Sequence, residues 1–90
     1  MGIRNMSNDK IIKEYKKLVK NCTSIEMRLF DMTIGKDLEE YIDDQEFLEL
    51  SEKQIKLVLR VQFLAKEIYR RKMLKEAIMA RNEILLAAMG

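Results

Sequence analysis

The chain has no histidine, no proline and no tryptophan, and its 90 residues include one cysteine and three glycines. The lack of histidine removes the usual general base and the Cys–His nucleophile, along with most routes to zinc or iron. Only a site built from carboxylates stays open to a metal. The lone Cys22 forms no intrachain disulfide, which suits a reducing, cytoplasmic setting. With so little Pro and Gly, the chain also lacks the punctuation of β structure. No apolar run approaches the roughly 18 residues of a membrane span, and Met1 to Asn8 has neither an apolar core segment nor a cleavage site. The expectation is an all-α, single-domain protein of residues 1–90 with no membrane partner.

What is present favours helices. Hydrophobic residues make up 48% and charged residues 36% of the chain, the balance of a folded helical protein. The net charge of +2 is unevenly spread. Residues 1–36 hold eight bases and four acids, 37–52 hold eight acids and no base, and 53–90 hold nine bases and three acids. The acidic middle therefore complements both ends.

The dominant stretch is Ser51 to Met89, which contains neither Gly nor Pro. Ser51 reads as an N-cap with Gln54 three residues on, Leu50 and Ile55 as a hydrophobic staple, and Gly90 as the stop. On a helical wheel Leu57, Val58, Val61, Leu64, Ala65, Ile68 and Tyr69 share one face. Met73, Leu74, Ala77, Ile78, Ile84, Leu85 and Ala88 cluster on nearly the opposite side. The flip falls at Arg70-Arg71-Lys72, which carries no Gly, Pro, Asn or Ser, so the favoured reading is one long C-terminal helix over 51–89. The alternative is a break at the basic triplet. A continuous helix outreaches a 90-residue globule and leaves an apolar half uncovered, which points to a homo-oligomer. Its interface is expected at Ile68, Tyr69, Leu74, Ile78 and Leu85.

Before this stretch, Met1 to Met6 reads as a loose lead-in. Ser7, Asn8 or Asp9 caps an amphipathic N-terminal helix burying Ile11, Ile12, Tyr15, Leu18, Val19 and Cys22 and ending at Asn21, with five lysines on its outer surface. Thr23 with Glu26 then opens a short helix that Gly35 closes, and Asp37 starts another short helix or turn carrying Leu38, Tyr41, Ile42, Phe47 and Leu48.

Little here supports catalysis. The acidic run lacks the Asp-x-Asp-x-Asp-Gly spacing of a calcium loop, and Ser and Thr stand where caps are needed. The expected function is non-enzymatic, with no cofactor. The Lys-rich first helix is mostly solvated surface, with phosphate or nucleic-acid binding as its functional alternative. Arg70 and Arg71 suit a carboxylate or phosphate through their forked donors. Tyr15 and Tyr69 pack, or stack on a base.

The segment Tyr69-Arg70-Arg71-Lys72-Met73-Leu74-Lys75-Glu76-Ala77-Ile78-Met79-Ala80-Arg81 is similar to the last helix of a family of small phage proteins. These are the helical sponges that sequester cyclic oligonucleotide signals of bacterial CBASS defence. Leu50-Ser51-Glu52-Lys53-Gln54-Ile55 also looks like the start of a helix in that family. The resemblance implies an intertwined helical oligomer holding a cyclic di- or trinucleotide between protomers in the host cytoplasm, with an aromatic ring on a base and a cation on a phosphate. Tyr15, Lys17, Arg70 and Arg71 have that chemistry. Two other functions fit the residues: an adaptor docking its apolar C-terminal helix on a host protein, and nucleic-acid binding through the first helix.

Overall fold

A computed structural model describes residues 2–89. Its elements are a 3-10 turn at Ile3–Asn5 and helices α1 (Asn8–Thr33), α2 (Leu38–Tyr41), α3 (Gln45–Arg70) and α4 (Leu74–Met89), with no strand among the described residues.

The starts of α1, α2 and α3 each have a local cause. Ser7 accepts the Lys10 N–H at 3.2 Å and Asp9 adds a negative charge to the first turn of α1. The Asp37 N–H donates to the Glu40 carboxylate at 3.1 Å and so opens α2 as the sequence suggests. Asp44 caps α3 by accepting the Phe47 N–H at 3.1 Å. Gly35 follows the end of α1 at φ +72°, the left-handed position glycine takes most easily.

Several expected boundaries move. α1 does not stop at Asn21, because Thr23 is not a cap. Its hydroxyl donates back to the Val19 carbonyl at 2.9 Å, and nothing between 21 and 23 breaks the helix. α3 starts at Gln45, so Ser51 lies inside a helix, the Leu50–Ile55 staple does not form, and Phe47 and Leu48 belong to α3. The segment 50–55 is accordingly no helix start. Residues 2–6 are not a loose lead-in, since Ile3 and Met6 pack against the core. Met1 and the expected stop at Gly90 lie outside the described residues.

The main correction concerns 51–89, which is two helices. Lys72 stands at φ +59°. The Lys72 N–H donates to the Tyr69 carbonyl and the Met73 N–H to the Ile68 carbonyl, both at 3.0 Å. These two reversed bonds are the Schellman pattern that ends a helix, and Met73 packs with Ile68 as the accompanying apolar contact. The left-handed position carries lysine where glycine is usual, so composition hid the turn.

α1 and α3 run antiparallel, as shown by Arg28 to Glu46 at 2.7 Å, Gln54 to Glu26 at 2.9 Å, and Ile11 packed with Ile68 at the other end. The Arg28–Glu46 pair is one place where the basic N-terminal third meets the acidic middle. α4 then returns parallel to α1, with Ala77 against Ile11 and Glu83 paired to Lys16 at 3.1 Å. Buried Ala77 and Ala80 let α4 approach α1 closely. The core is small: Ile11, Leu18, Cys22, Leu64, Ile68, Ala77 and Ala80. Ile68 is 1% exposed and spent inside the chain, so it is not available to an oligomer interface, whereas Tyr69, Leu74 and Ile78 stand exposed and Leu85 half-buried.

The turn gives a test by sign. Lys72→Gly relieves a left-handed lysine and should raise stability by up to about 1 kcal/mol, or several degrees in melting temperature. In a continuous helix the same change would cost about 1 kcal/mol. Thermal unfolding followed by circular dichroism at pH 7 distinguishes the two.

Candidate functional site

Three places gather charge. The first is the junction after α3. Glu67 is a buried acid, 6% exposed. Arg70 grips it with Nε at 2.9 Å, and Arg71 adds Nε at 3.2 Å. Hydrogen bonds from Arg70, opposed by burial and reinforced by Arg71, hold the Glu67 carboxyl down at about 2. The same Arg71 reaches the N-terminus, donating to Asn8 Oδ1 at 3.0 Å and to the carbonyls of Ile3 and Arg4 at 3.3 and 3.1 Å. Its guanidinium is thus shared among one carboxylate, one side-chain amide and two backbone carbonyls. A fork with several fixed donors suits this task, and a lysine would not.

The second is an open cleft of about 580 Å³ between α1 and α4. Lys16, Lys17 and Lys20 line one side, and Met27, Ile84, Ala87 and Ala88 give it an apolar floor. Lys16 is tied to Glu83, while Lys17 and Lys20 have no ion pair among the described residues. The cleft therefore offers net positive charge beside apolar surface. It exists because α4 doubles back along α1.

The third is a shallower cleft of about 590 Å³ where the N-terminal turn meets α3, lined by Arg4, Arg60, Lys66 and Arg70 around the exposed ring of Phe63. Glu67 is its only carboxylate, and that acid is already held by Arg70 and Arg71.

The expected ligand residues are divided among these places. Arg70 and Arg71 do come together, but on Glu67. Tyr15 is half-buried and packs on the Ile11–Ile68–Ala77 cluster. Lys17 lines the α1–α4 cleft, and Tyr15, Arg70 and Arg71 do not. The four do not form one pocket. Lys16, Lys20 and Glu67 were not singled out by the sequence. The lysines of α1 read as solvated surface with phosphate or nucleic-acid binding as the alternative, and the wheel places Glu67 with the polar residues of α3. Only knowledge of the turn at Lys72 would have brought Glu83 and Ile84 alongside the lysines.

Cys22 is buried, and burial first, then the nearby Glu26 charge, pushes its thiol up, away from reactive thiolate. Among the described residues no group of three or more His, Cys, Asp or Glu is placed to hold a metal ion, and no helix is long and apolar enough to cross a membrane. Comparison with protein-family models, curated proteins and solved structures found no match.

The Glu67 cluster predicts acid sensitivity. Because its folded carboxyl sits near 2 against an ordinary 4.5, its contribution is complete above about pH 4.5 and is lost as pH falls toward 2. Glu67→Gln should flatten that part of the pH–stability curve while lowering stability at pH 7. Thermal melts of both proteins from pH 7 to pH 2.5 check this, and parallel curves would show that Glu67 is not the linked group.

Proposed function

We propose that this chain is a non-enzymatic binding protein that works as a homo-oligomer and sequesters an anionic nucleotide in the α1–α4 cleft. The observation that carries the reading is the juxtaposition of three lysines with an apolar floor of Met27, Ile84 and alanines. A nucleotide needs both, a cationic wall for phosphate and an apolar surface for the base. Lys17 and Lys20, lacking carboxylate partners, are assigned the phosphate contacts. The resemblance of 69–81 to phage sponge proteins gives the ligand its most concrete form, a cyclic oligonucleotide signal kept from a host defence receptor. In that form a neighbouring protomer closes the open side of the cleft, where Met27 stands exposed. Tyr15, Arg70 and Arg71 then act as packing and anchoring groups, not as ligand contacts.

A second reading rests on α4. Its apolar residues go round the helix, with Met79, Leu86 and Met89 strongly exposed. A helix apolar on all sides is one that expects cover, and a host-protein groove would supply it.

Titration calorimetry with cyclic di- and trinucleotides, together with the 260-to-280 nm absorbance ratio of the purified protein, tests the first reading. Micromolar or tighter binding is expected, weakened tenfold or more by Lys17→Ala with Lys20→Ala, which is about 1.4 kcal/mol or more. Binding should also fall as salt rises from 50 to 500 mM. A flat titration to millimolar ligand with no co-purified nucleotide would overturn it. Binding to a host protein that is lost on truncation after Arg81, with the lysine variants unaffected, would favour the adaptor.

A further inference from the structure

We propose that two copies of this chain pair antiparallel through the outward face of α3, about a two-fold axis at Leu59. This rests on the homo-oligomer part of the proposed function and is independent of the ligand.

The chain alone is under-buried. It exposes 6984 Å², against about 5,500 Å² for a compact chain of this size. Its radius of gyration is 15.3 Å, against about 12 Å. The excess of about 1,500 Å² exceeds the roughly 800 Å² that each partner loses in a standard interface.

The outward side of α3 has the pattern of a self-complementary seam. Opposite the buried Leu64 and Ile68, Leu48, Glu52, Ile55, Leu59, Phe63, Lys66 and Arg70 share one helical face. Ile55, Leu59 and Phe63 are 63%, 52% and 61% exposed. The intervals along this row run four, three, four, four, three, four, so it is the same read from either end, with Leu59 at the middle. An isologous contact requires that property: residue i meets j, and j meets i. An antiparallel pair would set Leu59 on the partner's Leu59 and Ile55 on the partner's Phe63. Glu52 would then face the partner's Lys66. Leu48 would lie under the aliphatic stem of the partner's Arg70.

Charge agrees independently. The cleft of Arg4, Arg60, Lys66 and Arg70 has four cations around one carboxylate that is already bonded twice. The acid it lacks arrives with the partner's Glu52. Within its own chain Glu52 is held only by Lys56 in an exposed i,i+4 pair at 3.1 Å, readily exchanged for another. A parallel pair would instead set Glu52 on Glu52 and Lys66 on Lys66.

Light scattering on size-exclusion peaks, repeated over a dilution series, measures the association. Wild type should run as a dimer or an even multiple of it. Glu52→Lys and Lys66→Glu should each weaken pairing at least tenfold, and the double swap should restore it, with circular dichroism confirming the fold of all three. Under mild oxidation Leu59→Cys should cross-link with itself, whereas Ile55→Cys should cross-link with Phe63→Cys and not with itself. An oligomer indifferent to both charge changes, or one cross-linked by Ile55→Cys alone, overturns this seam and leaves the oligomer reading standing. A monomeric wild type overturns both. A monomer whose Lys66 and Arg70 resonances shift with inorganic phosphate would make the cleft an anion site instead.

Discussion

The carboxylate of Glu67 is the point on which the rest of the fold depends. It sits in the last turn of α3 and is nearly removed from water, so it needs compensation. Arg70 and Arg71 supply it, and in doing so they fix the helix end from which the chain must turn. Arg71 carries the restraint further, since the same guanidinium holds the carbonyls of Ile3 and Arg4. One buried negative charge thereby joins the N-terminal turn, the end of α3 and the start of the path into α4. The apolar cluster of Ile11, Ile68 and Ala77 lies at the same end of the molecule, with Met73 delivered to it by the turn itself.

From that anchored end the molecule becomes thinner. α1 and α3 form a complete antiparallel pair held at its far end by Arg28 and Glu46, but α4 lies mainly along α1 and makes little of a third wall for α3. The result is an extended body of 44 × 31 × 15 Å with apolar residues on outward faces of α3 and α4. Burying one face per helix is the ordinary requirement of a helical domain. Here two of the helices carry more apolar surface than one neighbour can cover. On the proposed reading self-association covers this surface, since the turn at Lys72 fixes where α4 goes.

Much of this was legible in the residues. The all-helical class, the buried face of α1 around Ile11, Leu18 and Cys22, the stop at Gly35 and the start at Asp37 follow from spacing and capping chemistry. The reversal of apolar face near residue 70 was also visible, and its cause was not. A break announced by glycine or proline is easy to see, whereas Lys72 adopts the left-handed conformation because the packing of Met73 and the grip on Glu67 overdetermine it. The false starts at Thr23 and Ser51 have the opposite origin. Both residues are good caps in isolation, but Thr23 satisfies its hydroxyl within the preceding turn, and Asp44 begins α3 first. The clefts were illegible for a further reason. Lys17 meets α4 only after the chain has reversed twice, and no local pattern records such a meeting.

The parallel return of α4 has a consequence for how such a protein responds to its surroundings. The fully buried residues of α4 are two alanines and its ion pair to α1 is exposed, so release of α4 while α1 and α3 stay paired sacrifices little buried surface. The lysine cleft exists only while α4 is docked. Any molecule that touches both walls selects the closed form and draws the equilibrium toward it, tightening the fold with the logarithm of its own concentration once that exceeds the dissociation constant. Binding and the completion of folding would then be one event, and the chain would be most ordered when it is occupied.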